Sequence, residues 1–485
     1  MIITNTEVIN KITKEVLTLF KVTDDLNIES DLTNGVVTSH LKINGKTFTE
    51  IGKINPAERE GAEIHRLIKR NLYNIFIREF DKEPAPYGIM HGVRPTKIIH
   101  RWLRTMHNDF NYQKIVDRIK DDYLVSDEKA KLLTEVALEQ IPILKNSDEK
   151  TISIYIGIPF CITRCLYCSF PSNVLPNDKK VSEFMAALKR DVEAAKIEID
   201  KYNFKVQNIY IGGGTPTSLP NIFFNQMLEM IYEAFYNKNV IEFTVECGRP
   251  DTITPEKILA MQSNKVTRVS VNPQTMQQRT LDKIGRRHTP EDIIRAFNEL
   301  KKNGDWQINM DLILGLPGEN VSDVKDSVKK VLALNPDDVT VHALALKRGS
   351  RLQMNLDDNI NTLDDFNLPS DETVRDMSKV ADFLIRSAGY KPYYLYRQGY
   401  MSGQIENIGY CRGGAVGIYN VQIMDERQTI IGIGGAATTK VVDFKNNCLQ
   451  SSFNAKDLIT YVRDVEYYIE KRSALLKKIY GQEVI

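Results

Sequence analysis

The feature that most constrains the fold of this chain is a regular alternation of β-rich runs and amphipathic helical stretches between Ile152 and Ala345. Such alternation is typical of repeated βα units around a parallel sheet. Six units predict an α/β fold containing a partial (β/α)6 barrel. The six predicted strands are ISIYIGIP at Ile152, VQNIYIGG at Val206, IEFTVECG at Ile241, RVSVNPQ at Arg268, QINMDLILGLP at Gln307 and DVTVHALA at Asp338.

A barrel of this kind gathers the residues that follow the carboxyl ends of its strands around one site. The cysteine, glycine, carboxylate and arginine motifs of this chain all lie at such positions. Their shared location predicts a single functional site at that end of the sheet.

Three of the six cysteines fall within eight residues, directly after the first predicted strand. Cys161, Cys165 and Cys168 have the spacing CX3CX2C, and six cysteines in 485 residues are too sparse for a disulfide framework. Three thiolates from a tight loop can bind three irons of a [4Fe–4S] cluster, and the fourth iron can then chelate the amino and carboxylate groups of S-adenosylmethionine (SAM). Together these cofactors generate a radical that removes hydrogen from an unactivated carbon.

Two other roles are available to these cysteines. A structural zinc site needs four closed ligands, and no fourth Cys or His lies close in the sequence. Buried, unreactive cysteines are the other alternative. That description fits Cys247, Cys411 and Cys448, which we do not assign as ligands.

The segment YIGIPFCITRCLYC resembles the cluster loop of the radical SAM superfamily, specifically of the oxygen-independent coproporphyrinogen III oxidase family. The resemblance covers most of the chain. YGIMHGVRPTK, NPQTM, GRRH and IENIGYCRGGAVGIYNVQIMDERQTII resemble the HemZ-type branch of that family. The resemblance implies a radical SAM barrel, with a [4Fe–4S] cluster and one or two SAM molecules as cofactors.

The resemblance also implies which residues contact the first SAM molecule. Glycines after the second strand allow close approach of the backbone, and the family binds the methionyl end of SAM there. A buried carboxylate at the end of the third strand needs a polar partner, and the family uses the matching acid to bind the ribose hydroxyls of SAM. The residues concerned are Tyr155, Tyr167, Gly212, Gly213, Gly214, Thr215, Glu246 and, for adenine, Ala345. Alternatively, the glycines form an ordinary turn, Glu246 lies at the surface and Tyr155 lies in the core.

A second SAM molecule is implied by Gln274, Arg286 and Asp311, which match residues that surround it in the family. A guanidinium suits this role because its planar fork can bind a carboxylate through two hydrogen bonds. Each of the three could instead be a hydrogen-bond or ion-pair residue of the core.

The chain departs from the best representative of the family in three places. It has no further cysteine after the loop, which continues Cys168, Ser169, Phe170, and it has Tyr167 and Gly157 where that oxidase has Phe and His. These changes leave the cluster ligands intact. They put the porphyrinogen activity in doubt, because the haem-chaperone branch of the superfamily shares the CXF ending.

Length predicts about three domains. Residues 1–150 form an accessory domain with a hairpin, DLTNGVVTSHLKINGKTFTEI, followed by basic helices. Residues 151–346 form the radical SAM core, and residues 347–485 an α/β extension that covers the substrate. Between His65 and Arg104 the chain has nine Lys or Arg and three acids, which indicates either an anionic-ligand patch or a solvated helix face.

Composition excludes other classes of protein. A formal net charge of +1 gives no global attraction to nucleic acid or anionic lipid. No basic segment followed by an apolar one opens the chain, and no run approaches the ~18 apolar residues of a membrane helix. We therefore expect a cytoplasmic protein with no membrane partner, for which nucleic acid is an unfavoured ligand.

The family resemblance implies oxidative decarboxylation of coproporphyrinogen III to protoporphyrinogen IX, with a flavodoxin- or ferredoxin-type reductant. A haem-binding or haem-transfer protein is one alternative. A radical SAM enzyme that acts on haem, or on RNA through the basic stretch from Arg66 to Arg104, is the other. A tetracarboxylate substrate needs cationic partners, for which the candidates are Lys347, Arg348, Arg351, Arg397 and Arg427.

Overall fold

The computed structural model describes residues 6–20, 27–43, 45–56, 58–90, 94–105, 111–145, 147–347, 350–352, 367–398 and 401–481. These residues form two compact units, Met1–Ala137 and Leu138–Ile485, and the boundary falls within a helix. Arg348 and the HGV of GVRPTK lie outside the described residues. None of the described helices combines the length and the apolar composition needed to cross a membrane.

The first unit contains a three-stranded antiparallel sheet and several helices. The elements are α1 (Thr6–Phe20), β1 (Asn27–Thr33), β2 (Val36–Ile43), β3 (Lys46–Lys53), α2 (Glu60–Phe80), α3 (Thr96–Thr105), α4 (Tyr112–Tyr123) and α5 (Asp127–Leu144), whose last residues belong to the second unit. Thr33 pairs with Val36 across a turn formed by Asn34 and Gly35, both with positive φ. The predicted hairpin is therefore confirmed, with a third strand added.

The basic stretch of the first unit is extensively paired with acids from other segments. Arg66 lies 3.8 Å from Asp122, and Arg78 contacts Glu50 at 2.7 Å. Lys69 pairs with Glu15, and Arg101 with Glu58. Because acids distant in the sequence compensate these charges, the geometry favours a solvated helical surface over a nucleic-acid patch.

The second unit is built on one eleven-stranded sheet. Its strands are β4 (Thr151–Ile158), β7 (Lys205–Gly213), β8 (Glu242–Glu246), β9 (Arg268–Ser270), β10 (Gln307–Leu314), β11 (Asp338–Ala343), β12 (Lys391–Tyr396), β13 (Asn407–Cys411), β14 (Thr429–Gly434), β15 (Thr438–Asp443) and β16 (Cys448–Phe453). A separate pair consists of β5 (Phe160–Cys161) and β6 (Asn173–Val174). The helices are α6 (Asp178–Lys201), α7 (Asn221–Phe235), α8 (Pro255–Ser263), α9 (Gln278–Lys283), α10 (Pro290–Asn303), α11 (Val321–Leu334), α12 (Asp371–Ser387), α13 (Ile418–Asp425), α14 (Leu458–Arg463) and α15 (Val465–Tyr480), with short 3-10 turns at Pro216–Ser218, Pro250–Thr252 and Ser402–Gln404.

The strand order is β12-β13-β11-β10-β9-β8-β7-β4-β14-β15-β16. All six predicted strands are present and lie side by side in parallel, as the α/β prediction requires. Strand β14 adds a seventh parallel strand beside β4, and β13 and β12 continue the opposite edge in antiparallel orientation. Strands from residues 391–453 thus belong to the same sheet as the predicted core.

The two faces of this sheet differ in chemistry because its strands alternate polar and apolar residues. The apolar residues are buried under the helices; Ile154, Ile209, Phe243 and Met310 have no exposed surface. We call the opposite side the inner face. It carries Tyr155, Tyr210, Gly212, Glu242, Thr244, Glu246, Arg268, Ser270, Asn309, Asp311, Asp338, Thr340 and His342, which the parallel register places on one side.

An ion network closes the inner face at the amino ends of the strands. Arg268 donates to Asp338 at 3.0 Å and lies 3.3 Å from Glu242. Glu242 also accepts the backbone N–H groups of Ile418 and Tyr419, which begin α13. Because a carboxylate there is favoured by the helix dipole, Glu242 fixes α13 across this end of the sheet. The opposite, carboxyl end remains for the functional site.

Candidate functional site

The cysteine loop begins where β4 ends and is fastened to its neighbours by backbone hydrogen bonds. The N–H of Leu166 donates to the carbonyl of Ile284 at 3.0 Å, and Leu352 donates to Leu166 at 3.0 Å. Cys165 is buried, whereas Cys161 and Cys168 are partly exposed. The loop is therefore held from both sides, and its thiols lie in one ordered segment.

The glycine segment after β7 packs directly against the cysteine loop. The Gly214 N–H donates to Ile158, and the Thr215 N–H donates to Phe160 at 2.6 Å. A Cβ at Gly214 would lie 2.4 Å from the Phe160 carbonyl oxygen and 3.0 Å from Cys161 Sγ. The Thr215 hydroxyl lies 3.6 Å from the same sulfur. Only glycine allows this approach, so the segment and the cysteine loop form one wall.

Glu246 lies in the middle of the inner face and accepts a hydrogen bond from the Tyr210 hydroxyl at 2.6 Å. Burial raises the pKa of Glu246 to about 7; Asp311 adds to the rise, and the Tyr210 hydroxyl and the Gly213 N–H oppose it. A Cβ at Gly212 would lie 2.9 Å from the Glu246 carboxyl carbon. Gly212 and Glu246 thus share one recess.

Tyr155 belongs to a stack of three aromatic rings on the inner face. Its ring lies 6.1 Å from Tyr210 and 6.2 Å from Tyr419, and the latter two rings are 4.4 Å apart. Tyr419 lies in α13, about 260 residues along the chain from Tyr155, and no local sequence pattern predicted this stack. The stack forms an apolar floor below Glu246.

Gln274 contacts Asp311, whereas Arg286 has other partners on the same side of the sheet. The Gln274 N–H donates to the Asp311 carbonyl at 2.9 Å, with Gln274 at φ +66. Arg286 is buried and donates to the carbonyls of Asn272 at 2.6 Å and Gly248 at 3.2 Å, and to the Tyr167 hydroxyl at 3.3 Å. The left-handed backbone conformation at Gln274 is uncommon for a residue other than glycine.

A polar chain next to Asp311 contains residues that the sequence analysis did not select. Asp311 lies 3.7 Å from His342 Nε2, and the Tyr396 hydroxyl lies 3.3 Å from His342 Nδ1. Asn309 donates to Asp311 at 2.7 Å. These contacts hold the pKa of Asp311 below its usual value, although burial opposes the shift. In the predicted strand DVTVHALA, His342 follows Asp338 and Thr340 at alternating positions. This alternation was the sequence signal that could have placed His342 on the same face as these residues.

Two further predicted residues, Ala345 and Lys347, follow the end of β11. Ala345 forms an isolated bridge with Met401 beyond the end of β11. The Lys347 ammonium lies 5.8 Å from the Phe170 ring in the cysteine loop.

The other predicted cationic partners that lie within the described residues occupy separate positions. Arg351 is exposed beside the loop, and Arg397 donates to the Gln404 carbonyl at 3.2 Å. Arg427 pairs with Asp425 just before the amino end of β14, whereas the cysteine loop follows the carboxyl end of β4.

The inner face fits a ligand rich in hydroxyl, amino and carboxylate groups such as SAM. Among the described residues, several buried polar atoms here have no hydrogen-bond partner, and a buried polar group without one is costly. They are Thr244 Oγ1, Ser270 Oγ, Asn272 Oδ1, Gln274 Oε1 and Arg286 Nε. The glycines that follow β7 have no side chains, so the backbone there allows close approach of such a ligand.

No three His, Cys, Asp or Glu side chains within the described ranges are close enough to hold a single metal ion. In a [4Fe–4S] cluster each cysteine binds a different iron, which suits thiols spread along a loop.

Comparison with known proteins agrees with this geometry. Residues 155–331 match the model of the Radical SAM superfamily. The chain is 37% identical over 399 residues to the oxygen-independent coproporphyrinogen-III oxidase-like protein HemZ of Bacillus subtilis, covering 81% of this chain and 77% of that protein. It is 29% identical over 299 residues to the heme chaperone HemW of Lactococcus lactis, covering 61% of this chain and 72% of that protein.

The fold is similar to that of coproporphyrinogen III oxidase (HemN) from Escherichia coli, a radical SAM enzyme. The TM-score is 0.55 at 21% identity, and the likeness covers 68% of this chain and 72% of that one. Together with the family match, this likeness confirms the predicted radical SAM fold.

Proposed function

Because the chain belongs to the HemZ family of radical SAM proteins, which use a [4Fe–4S] cluster and SAM, we propose that it converts coproporphyrinogen III to protoporphyrinogen IX without oxygen. The observation that carries this proposal is the identity to HemZ, which extends over 81% of the chain. The identity to HemW is lower and covers less of the chain.

Cys161, Cys165 and Cys168 hold the cluster in this proposal, and the inner face holds SAM. Tyr155, Gly212–Thr215, Glu246 and Ala345 would bind one SAM molecule, with Tyr167 beside it. The unpartnered Gln274 and Arg286 atoms, together with Asp311, support a second ligand close to the first. When bound, the cofactors supply the radical chemistry that removes hydrogen from the substrate.

Each turnover of a propionate group removes one hydrogen atom from its β-carbon. The resulting substrate radical loses carbon dioxide and one electron, and a vinyl group remains. The electron passes to a one-electron acceptor, and a flavodoxin- or ferredoxin-type protein supplies the reducing electron for the cluster. Among the described residues, Lys347 beside the cysteine loop is the candidate cation for a propionate.

The test is an anaerobic assay of reconstituted protein with coproporphyrinogen III, SAM, a reductant and a one-electron acceptor. We expect the substrate to stimulate formation of 5′-deoxyadenosine, and two carbon dioxide molecules to leave per protoporphyrinogen, with a monovinyl intermediate at early times. Arg286→Ala and Asp311→Ala should retain about four irons per chain yet lose turnover. Equilibrium dialysis with labelled SAM distinguishes one bound molecule from two.

A haem-handling protein is the second candidate, favoured by the similarity to HemW heme chaperones and by the Cys168-Ser169-Phe170 ending. Such a protein would keep the cluster but would not decarboxylate. Tight haem binding, with no carboxylate lost from coproporphyrinogen III in the assay above, would replace the decarboxylase proposal with this one.

A further inference from the structure

Arg249 connects the end of β8 to the cysteine loop. Its side chain is only 3% exposed. Nη1 donates a hydrogen bond to the Thr163 hydroxyl at 3.0 Å and lies 3.9 Å from Cys165 Sγ, within reach of an N–H···S hydrogen bond. A buried guanidinium therefore faces the one buried cysteine of the loop.

Asp251 fixes the direction in which Arg249 points. Two hydrogen bonds join them, from Nε to Oδ1 and from Nη2 to Oδ2, each 3.2 Å long. This forked pairing is rigid and leaves Nη1 as the nitrogen that faces the loop. The Asp251 carboxylate is on the far side of the guanidinium from Cys165, so the positive end of the pair faces the sulfur.

A cation at this position acts on the charge of an iron–sulfur site. Three thiolates outweigh the charge of an oxidised cluster, and reduction adds one further negative charge. Hydrogen bonds to the sulfurs and nearby charge are established determinants of cluster potentials. Because burial weakens solvent screening, a guanidinium against a ligand sulfur favours the reduced state. Arg286, which donates to Gly248, Asn272 and Tyr167 and also interacts with Cys165, adds a second buried cation beside the same sulfur.

We propose that Arg249 is a positioning residue of the iron–sulfur site. Held by Asp251, it donates an N–H···S hydrogen bond to the Cys165 thiolate, orients the cysteine loop through Thr163 and stabilises the reduced cluster. This inference rests on the assignment of the three loop cysteines as cluster ligands. It does not depend on the identity of the substrate.

The test is the midpoint potential of the reconstituted cluster, measured by an EPR-monitored redox titration without SAM or substrate. Arg249→Gln should retain its iron and have a more negative potential than the wild type. We expect the preference for the reduced form to fall at least tenfold, which is about 59 mV for one electron. Arg287→Gln is the matched control, since Arg287 is exposed and its loss changes the net charge equally. Its potential should equal that of the wild type.

A wild-type potential in Arg249→Gln with full iron content overturns the proposal, as does an equal shift in Arg287→Gln. If Arg249→Gln does not retain a cluster, the potential of Arg249→Lys provides the test. Lysine keeps the positive charge but cannot form the two parallel hydrogen bonds to Asp251. An intermediate negative shift supports the proposal, and a wild-type potential overturns it. The titration contains no porphyrin, so a failed decarboxylation assay leaves this result interpretable.

Discussion

Glu246 offers a direct test of the charge balance on the inner face, because burial raises its pKa from 4.5 to about 7. Replacing it with glutamine keeps the shape and removes the titration. A tenfold change in proton affinity is worth roughly 1.4 kcal/mol, so the raised pKa represents up to about 3 kcal/mol of folding free energy. We expect Glu246→Gln to be more stable than the wild type by up to that amount at pH 8.

The sign follows from proton binding. Between pH 4.5 and about 7 the folded wild type keeps a proton on Glu246 that the unfolded chain releases. Wild-type stability therefore falls as pH rises through this window, and the glutamine variant lacks that loss. The stability difference should be near zero below pH 4.5 and should reach its full size above pH 7.

The measurement is urea-induced unfolding of the cluster-free protein, followed by Trp306 fluorescence. Trp306 is buried in the second unit, and replacing Trp102 with phenylalanine removes the other tryptophan signal. Exposed Glu233→Gln is the control and should show no pH-dependent difference. A difference that does not change with pH, or a variant less stable than the wild type at pH 8, would refute the reasoning.

The same substitution should weaken SAM binding if Glu246 accepts hydrogen bonds from the ribose hydroxyls. Hydrogen bonds to a charged group contribute about 1.5–3 kcal/mol, so the dissociation constant measured by equilibrium dialysis should rise at least tenfold. Unchanged affinity would remove Glu246 from the proposed SAM contacts while leaving the stability argument intact.

Three further predictions concern the cluster, the glycine recess and the core. Cys161→Ala should abolish the brown chromophore, whereas Cys247→Ser should leave the iron content unchanged, because Cys247 is fully buried away from the loop and its raised pKa of about 12 keeps it a thiol. Gly212→Ala should lower SAM affinity with the iron retained, since its Cβ would lie 2.9 Å from Glu246; wild-type dialysis curves would contradict this. Arg472→Met should cost about 3–5 kcal/mol in urea unfolding, because it leaves the buried Asp191 and Glu198 carboxylates unpaired, and a neutral result would show that they bind protons instead.

The sequence by itself determined the six central strands and the cysteine loop. Their signals are local: β-rich runs separated by amphipathic helices, and three cysteines within eight residues. The Asn34-Gly35 turn was equally local, because its positive φ angles favour those residues. The positions of Gly212 and Glu246 at strand ends followed from the same pattern.

Only the tertiary structure decided which distant segments complete the sheet and the site. Strand β14 lies beside β4, which is about 280 residues earlier in the chain, and strands β12 and β13 form the opposite edge. Arg249 approaches Cys165 across 84 residues, and Tyr396 approaches His342 across 54. No periodicity encodes such pairs, because a strand edge accepts any segment with the right register and burial. Where such a segment is placed depends on which sheet edge is still unpaired when the rest of the chain has folded. The local pattern of residues does not contain that information.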